Sequence, residues 1–155
     1  MKAIKFGDIL SVNEGIIVQG CNAQGVMGSG LAKAIREKYP EVYEEYKIAF
    51  EDAPSDRRAL VGSAQAVQIK SKNNLYVVNG ITQEFYGKDG RKYVSYSAIQ
   101  AVFAQVAIMA KSKQLEVHYP MIGAGLGGGD WAVISEIIDT VFQDSGIKRT
   151  LWISE

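Results

Sequence analysis

One segment constrains this chain more than any other: Ile16-Ile17-Val18-Gln19-Gly20-Cys21, followed by Asn22-Ala23-Gln24-Gly25-Val26-Met27-Gly28-Ser29-Gly30 and Leu31-Ala32-Lys33-Ala34-Ile35. The apolar run reads as a buried strand over 16–21. A polar, glycine-bearing loop follows, and a helical pattern starts near Ser29. Strand, glycine loop and helix N-terminus together make an anion site. Glycine lets the backbone approach a ligand closely, and the unsatisfied N–H groups of a first helical turn face negative charge. A second loop of this kind lies far downstream, at Gly123-Ala124-Gly125-Leu126-Gly127-Gly128-Gly129. A single tight turn requires one or two glycines, and this loop has five. Two such loops imply a ligand with more than one phosphate, held between them.

The rest of the pattern alternates strands and helices. Lys2 to Phe6 reads as a first strand, closed by Gly7-Asp8. A helix over 29–38 ends at Tyr39-Pro40, because a proline disfavours helix in the residue before it. Helix resumes from Glu41 to Phe50, and Asp52 to Arg58 is a polar loop. Strands over 64–70 and 75–81 are joined through Lys72-Asn73-Asn74 as a hairpin-like turn, with a polar loop over 82–92. Ser97 to Lys111 places Ile99, Val102, Phe103, Val106 and Met109 on one helical face. Leu115 to Tyr119 is a short strand. Trp131 to Phe142 is a helix with Trp131, Ile134, Ile138 and Val141 aligned, and Thr150 to Ile153 is a last strand. This order predicts a single α/β domain over 1–155: a mixed, mostly parallel sheet in three layers, with helices on both faces. Ligands of open α/β sheets lie beyond the carboxyl ends of the strands, where both glycine loops fall.

Bulk properties exclude several classes. The formal net charge is zero, which argues against a general nucleic-acid binder or a membrane-surface protein. An anionic ligand must then be held by local backbone N–H groups. Cys21 is the single cysteine, so no internal disulfide forms. No apolar run approaches the length of a membrane span, and Lys2 and Lys5 interrupt any leader-like opening. The cytoplasm is the expected compartment, and no partner copy of the chain is expected. One histidine and one cysteine make no typical transition-metal site, so neither a metal nor a cofactor is expected. The spacing Gly25 to Gly30 continues with Leu31-Ala32 where a phosphate-loop nucleotidase has Lys-Ser/Thr, which disfavours an ATPase or GTPase.

Three pieces resemble the macrodomain family, whose members bind ADP-ribose: Gly7-Asp8-Ile9, the segment Asn22 to Ile35, and Ile122-Gly123-Ala124-Gly125-Leu126-Gly127-Gly128-Gly129-Asp130-Trp131. They occur in the family's order and span most of the chain. The small members that act as ADP-ribose 1''-phosphate phosphatases have loops much like Gly125-Leu126-Gly127-Gly128-Gly129-Asp130-Trp131. The resemblance implies that Asp8, with Ile9 beside it, accepts a hydrogen bond from the adenine amino group; a plain turn role is the alternative. It implies that Asn22 faces the distal ribose, against the alternative of tying its own loop together. Gly25, Gly28, Ser29 and Gly30 would wrap one side of the diphosphate. Gly123, Ala124, Gly125, Leu126, Gly127, Gly128 and Gly129 would wrap the other.

Three residues are candidates for chemistry. Asp130 is either the N-cap of the helix from Trp131 or a carboxylate that orients water. His118 is either a structural strand residue or an acid for the leaving oxygen. Asn22 is the third, at the distal ribose. Cys21 reads as a buried, inert thiol, and Trp152 as core or as an adenine-stacking ring. One of Tyr86, Tyr93 and Tyr96 is placed near the ribose.

A branch of the family removes ADP-ribose with a lysine after an Ile-Thr step and an aspartate in the second loop. Here Gln83 follows Ile81-Thr82, and Gly127 holds the loop position. Another branch has an aromatic residue where Leu126-Gly127 stands. The resemblance to the small phosphatase members implies hydrolysis of the terminal phosphate of ADP-ribose 1''-phosphate. The alternatives are a non-catalytic ADP-ribose-binding module, or an ADP-ribosyl hydrolase acting on modified proteins or nucleic acid.

Overall fold

A computed structural model describes residues 2–28, 30–52 and 55–154. Six strands form one sheet: β1 (Lys2–Phe6), β2 (Gly15–Asn22), β3 (Ala64–Gln68), β4 (Leu75–Gln83), β5 (Val117–Tyr119) and β6 (Arg149–Ile153). Their spatial order is β1-β6-β5-β2-β4-β3. Every neighbouring pair is parallel except β3 with β4, which is antiparallel. The mixed, mostly parallel sheet expected from the element order is the observed one.

Side-chain alternation along the strands builds two cores. Ile16 and Val18 of β2 and Val117 and Tyr119 of β5 face one side. There they meet Ile99, Val102, Phe103 and Val106 of α3 (Tyr96–Lys113), and Ile134, Ile138 and Phe142 of α4 (Trp131–Phe142). Ile17 and Cys21 face the other side, as do Leu75 and Val77 of β4. That side is covered by Ile35 of α1 (Gly30–Lys38) and by Val42 and Tyr46 of α2 (Pro40–Glu51). The period of two along each central strand is thus apolar on both faces, as a doubly covered sheet requires.

Local chemistry sets the ends of the helices. Pro40 stands at the first position of α2, where its missing N–H costs nothing and its fixed φ suits the helix; the expected start at Glu41 is thus one residue late. Ser95 caps α3 by accepting the Ala98 N–H at 3.2 Å, and α3 runs two residues past the expected end, to Lys113. Two 3-10 turns, Ile9–Ser11 and Arg57–Leu60, lie between the expected elements, the second starting inside the loop read over 52–58. Each is opened by an aspartate that accepts an N–H two residues on: Asp8 from Leu10, and Asp56 from Arg58.

Because β1, β2, β4, β5 and β6 run parallel, their carboxyl ends share one edge. The turn after β1, the loop after β2, the loop after β4 and the loop after β5 all leave from it. β2 and β5 are direct neighbours, with Ile16 opposite Val117 and Ile17 opposite His118. The two glycine loops therefore spring from adjacent strands.

Candidate ligand-binding site

The loop after β2 is anchored by Asn22. A register shift between Cys21 and Asn22 sets this residue out of the regular ladder with β4. Its Oδ1 accepts the Gln24 N–H at 2.9 Å, and its Nδ2 donates to the Val26 carbonyl at 2.8 Å. From α2, the buried Tyr46 hydroxyl donates to the Asn22 carbonyl at 2.6 Å and lies 3.0 Å from Oδ1. Burial pushes the Tyr46 hydroxyl well above the ordinary tyrosine range, so it stays a donor. Asn22 thus holds its own loop together. Oδ1 also accepts the Val26 N–H at 3.4 Å, so one amide hydrogen is left for anything that approaches from outside. Glu84, just past β4, closes the other side: its carbonyl accepts the Ala23 N–H and the Gln24 side-chain amide, both at 3.1 Å.

The second loop is held from within and from above. Gly129 donates to the Gly123 carbonyl at 2.8 Å, and Gly128 to that of Gly125 at 3.1 Å. The Gly127 carbonyl takes the N–H groups of Tyr93 and Val94, at 2.7 and 3.0 Å. Packing explains most of the glycines. A Cβ at Gly129 would stand 2.6 Å from Val94 Cγ1, and one at Gly123 would stand 2.8 Å from Val94 Cγ2. One at Gly127 would meet the Gly123 carbonyl at 2.8 Å, and one at Gly128 would collide with the Arg91 carbonyl. Gly125 is different: it is exposed, and a Cβ there meets nothing within 4 Å.

What remains is a set of unused donors. The N–H groups of Gly125, Leu126 and Gly127 take no acceptor among the described residues, and neither do those of Met27 and Gly28. Gly127 is buried and Met27 is 1% exposed, so these N–H groups stand out in a structure where buried backbone donors are almost always paired. Consecutive free N–H groups in a glycine turn form a concave anion nest. α1 starts just past Gly28, and the N–H groups of its first turn take no acceptor among the described residues.

The remaining sequence-derived positions fall as follows. Asp8 is exposed; one carboxylate oxygen caps the turn at Leu10, and the other has no partner among the described residues. Ile9 is buried beneath it. Gly25 and Gly30 adopt φ of 78° and 59°, values that suit glycine. Ala124 donates to the Met121 carbonyl at 3.2 Å, and Leu126 is 52% exposed at the loop's tip. Ser29 lies outside the described residues.

Asp130 caps α4 through Oδ1, which accepts the Ala132 N–H at 2.9 Å, while its own N–H donates to the Tyr96 hydroxyl at 3.1 Å. Its Oδ2 takes no hydrogen bond from the described residues. Of the three tyrosines considered for the ribose, Tyr96 thus serves Asp130, Tyr93 donates to Asp89 at 2.7 Å, and Tyr86 is half exposed. Cys21 is buried, and desolvation raises its thiol far above the ordinary range, as expected of an inert group.

His118 sits low in the sheet. It is paired with Ile17, and Gly15, at the opening of β2, lies against its ring. Five residues of strand separate that level from Asn22, roughly 16 Å at the rise of a β-strand. Its Nδ1 accepts the Trp152 indole N–H at 2.9 Å. Burial holds its pKa below the ordinary histidine value; Glu116 opposes this and Lys5 assists it. His118 and Trp152 form a hydrogen-bonded pair beneath the sheet edge, in keeping with the structural one of the two roles read for His118.

Sequence reasoning missed Tyr46, Glu84 and Arg57. Tyr46 reads as one more apolar position of α2, and Glu84 acts through its backbone carbonyl. Arg57 reaches the Gln24 carbonyl at 3.3 Å from a segment read as loop.

Fold and loops together define a three-layer α/β protein with two glycine loops, and their unused donors, at the carboxyl edge of its sheet. The macro domain profile matches residues 18–138, and the chain belongs to that family. A 17.5 kDa uncharacterized protein of Enterobacteria phage T4 is 30% identical over 98% of this chain and 96% of its own length. An ADP-ribose 1''-phosphate phosphatase of Scheffersomyces stipitis is 28% identical over 75% of this chain and 77% of its own. A DNA ADP-ribosyl glycohydrolase of Mycobacterium tuberculosis is 24% identical over 88% of this chain, which covers 37% of that protein. Among solved structures, a protein of unknown function from Bacteroides thetaiotaomicron superposes with a TM-score of 0.87 at 27% identity, covering 99% and 98% of the two chains. Thermosipho africanus DarTG, solved in complex with ADP-ribose, shares the fold with a TM-score of 0.77 at 16% identity, covering 97% of this chain and 41% of that one.

Proposed function

We propose that this chain binds ADP-ribose across its two glycine loops and hydrolyses the terminal phosphate of ADP-ribose 1''-phosphate. The observation that supports this most is the pair of unused donor sets, Met27–Gly28 and Gly125–Gly127, on loops from neighbouring strands. A diphosphate has oxygens to offer both, and a chain of zero net charge needs such local donors to hold it. In this reading Asp8 takes the adenine amino group with its unpartnered oxygen, and Asn22 meets the distal ribose with its remaining amide hydrogen. The nucleotide's binding energy then fixes the reacting phosphate in place.

The terminal phosphate lies beside the loop that ends at Asp130. The free Oδ2 of Asp130 orients a water on the phosphorus and takes its proton. The phosphorus–oxygen bond to the anomeric carbon breaks, releasing inorganic phosphate and ADP-ribose. The leaving oxygen belongs to a hemiacetal, which departs more readily than an ordinary alkoxide, and this reduces the need for an acid such as His118. The resemblance to an ADP-ribose 1''-phosphate phosphatase over three quarters of the chain agrees with the reading.

The likeness to a DNA ADP-ribosyl glycohydrolase supports a second one, removal of ADP-ribose from a modified strand. Gln83, bonded to the Phe85 carbonyl at 2.7 Å, supplies no nucleophilic amine for that chemistry. Calorimetric titration with ADP-ribose, followed by phosphate release from ADP-ribose 1''-phosphate, tests the proposal. Binding with release supports the phosphatase. Binding without release leaves a recognition module, and the absence of binding overturns the reading.

A further inference from the structure

Beside the loop after β2 lies an open concavity of about 270 Å3, lined by Gln24, Gly25, Lys47, Phe50, Glu51 and Arg57. It shares only Gly25 with the positions assigned above to adenine, diphosphate or ribose, and its wall begins two residues past Asn22. Two cations line it, Lys47 and Arg57, against one carboxylate, Glu51. Neither cation makes an ion pair among the described residues, whereas the adjacent Arg58 is neutralised by Glu84 at 3.3 Å.

Arg57 is held in place although it is exposed. Its Nη1 donates to the Gln24 carbonyl, and its guanidinium carbon stands 5.3 Å from the centre of the Phe50 ring. Phe50 in turn packs edge-on to Tyr46, the residue that secures Asn22, with ring centres 4.9 Å apart. The guanidinium is therefore fixed relative to the loop that carries Asn22, so little side-chain freedom is lost when it engages a ligand.

We propose that Lys47 and Arg57 form an anion subsite for a phosphate ester carried on the distal ribose. This rests on the ADP-ribose reading and adds to it the class of substituent the protein selects. A guanidinium matches a phosphate through two parallel hydrogen bonds, and an ammonium adds a point charge. Unsubstituted ADP-ribose places no charge there. ADP-ribose joined to a carboxylate side chain also offers none, because ester formation has removed that side chain's charge. The phosphate is either the terminal monoester of ADP-ribose 1''-phosphate, held by this pair on the side away from Asp130, or the diester that joins ADP-ribose to the end of a nucleic-acid strand.

The test compares wild type with the double variant Lys47→Ala/Arg57→Ala and with Arg57→Gln, each checked by thermal unfolding. Calorimetry measures the affinity for ADP-ribose. It then measures the affinity for inorganic phosphate added to the ADP-ribose-saturated protein, and Michaelis constants are taken for ADP-ribose 1''-phosphate and for an oligonucleotide carrying ADP-ribose on its terminal phosphate. The expected result is a loss of phosphate affinity, and of the preference for phosphorylated ligand, about tenfold larger than any change in ADP-ribose affinity, the size of one charge-assisted contact. A larger loss on the monoester identifies the small molecule as the source; a larger loss on the oligonucleotide identifies the strand.

Variants that bind ADP-ribose and phosphate as wild type does, with preference unchanged, overturn the subsite alone. Wild type that fails to bind ADP-ribose overturns the functional reading and this inference with it. Should the double variant not fold, Arg57→Gln carries the same comparison, since it removes the charge at an exposed position.

Discussion

The hydroxyl of Tyr46, on α2, donates to the backbone carbonyl of Asn22 at 2.6 Å and so ties the helical layer to the loop at the mouth of the sheet. Tyr46→Phe leaves that buried carbonyl without its partner, which costs about 1–3 kcal/mol. Thermal unfolding should register the loss, and ADP-ribose affinity should fall with it because Asn22 and the Met27–Gly28 donors shift together. An unchanged affinity in the destabilised variant would separate α2 from the binding loop.

Two glycines of the second loop should respond in opposite ways. Gly128 has φ of 71°, and a Cβ there collides with the Arg91 carbonyl. Gly128→Ala should therefore lose about 2 kcal/mol or more of stability. Gly125 has open space around it, so Gly125→Ala should unfold within about 2 °C of wild type. A methyl group there nonetheless stands beside free donors, and ADP-ribose should bind about tenfold more weakly. Unfolding scans and calorimetry on the two variants check both expectations.

Asp130 can be divided into its two roles. Asparagine caps a helix as well as aspartate does, so Asp130→Asn should keep the melting temperature, while Asp130→Ala should lose about 1 kcal/mol. If Oδ2 activates water, Asp130→Asn should still reduce phosphate release by about a hundredfold or more. Full activity in a stable Asp130→Asn protein would leave the residue as a cap alone.

His118 predicts a pH dependence of stability rather than of catalysis. Its folded pKa is lowered, chiefly by desolvation, so the unfolded chain binds its proton more readily. The contribution is present above the unfolded value of about 6.5 and is lost as the pH falls through it towards the lower folded value. Protonation of Nδ1 would also break the bond from Trp152. Denaturant melts between about pH 7.5 and 5 should show this loss in wild type and a flatter curve in His118→Gln, with phosphate release at neutral pH unchanged.

The layers and the parallel edge were legible because they rest on local patterns. Ile16-Ile17-Val18 declared a strand covered on both faces, and Ile99 to Val106 declared the apolar stripe of α3. The glycine loops were placed at the right edge because parallel strands leave no other place for them. Other features depend on partners distant in sequence. Four of the five glycines between Gly123 and Gly129 answer to Val94, Arg91, Ile134 or one another, which no reading of that loop alone reveals. The two roles open to His118 stayed open for a related reason. Strand periodicity tells which face a residue takes, but not how far it lies from the edge a ligand approaches. The aspartate-capped turns at Asp8 and Asp56 look like any polar loop until the accepted N–H is seen.

The central claim is that two loops from adjacent strands grip one diphosphate through backbone N–H groups that have no other acceptor. Amide NMR spectra recorded while ADP-ribose is added test it residue by residue. The account predicts that Met27, Gly28, Gly125, Leu126 and Gly127 shift together with a single affinity while His118 stays in place. Saturation of the protein with ADP-ribose while the amides of one or both loops remain unmoved would contradict it.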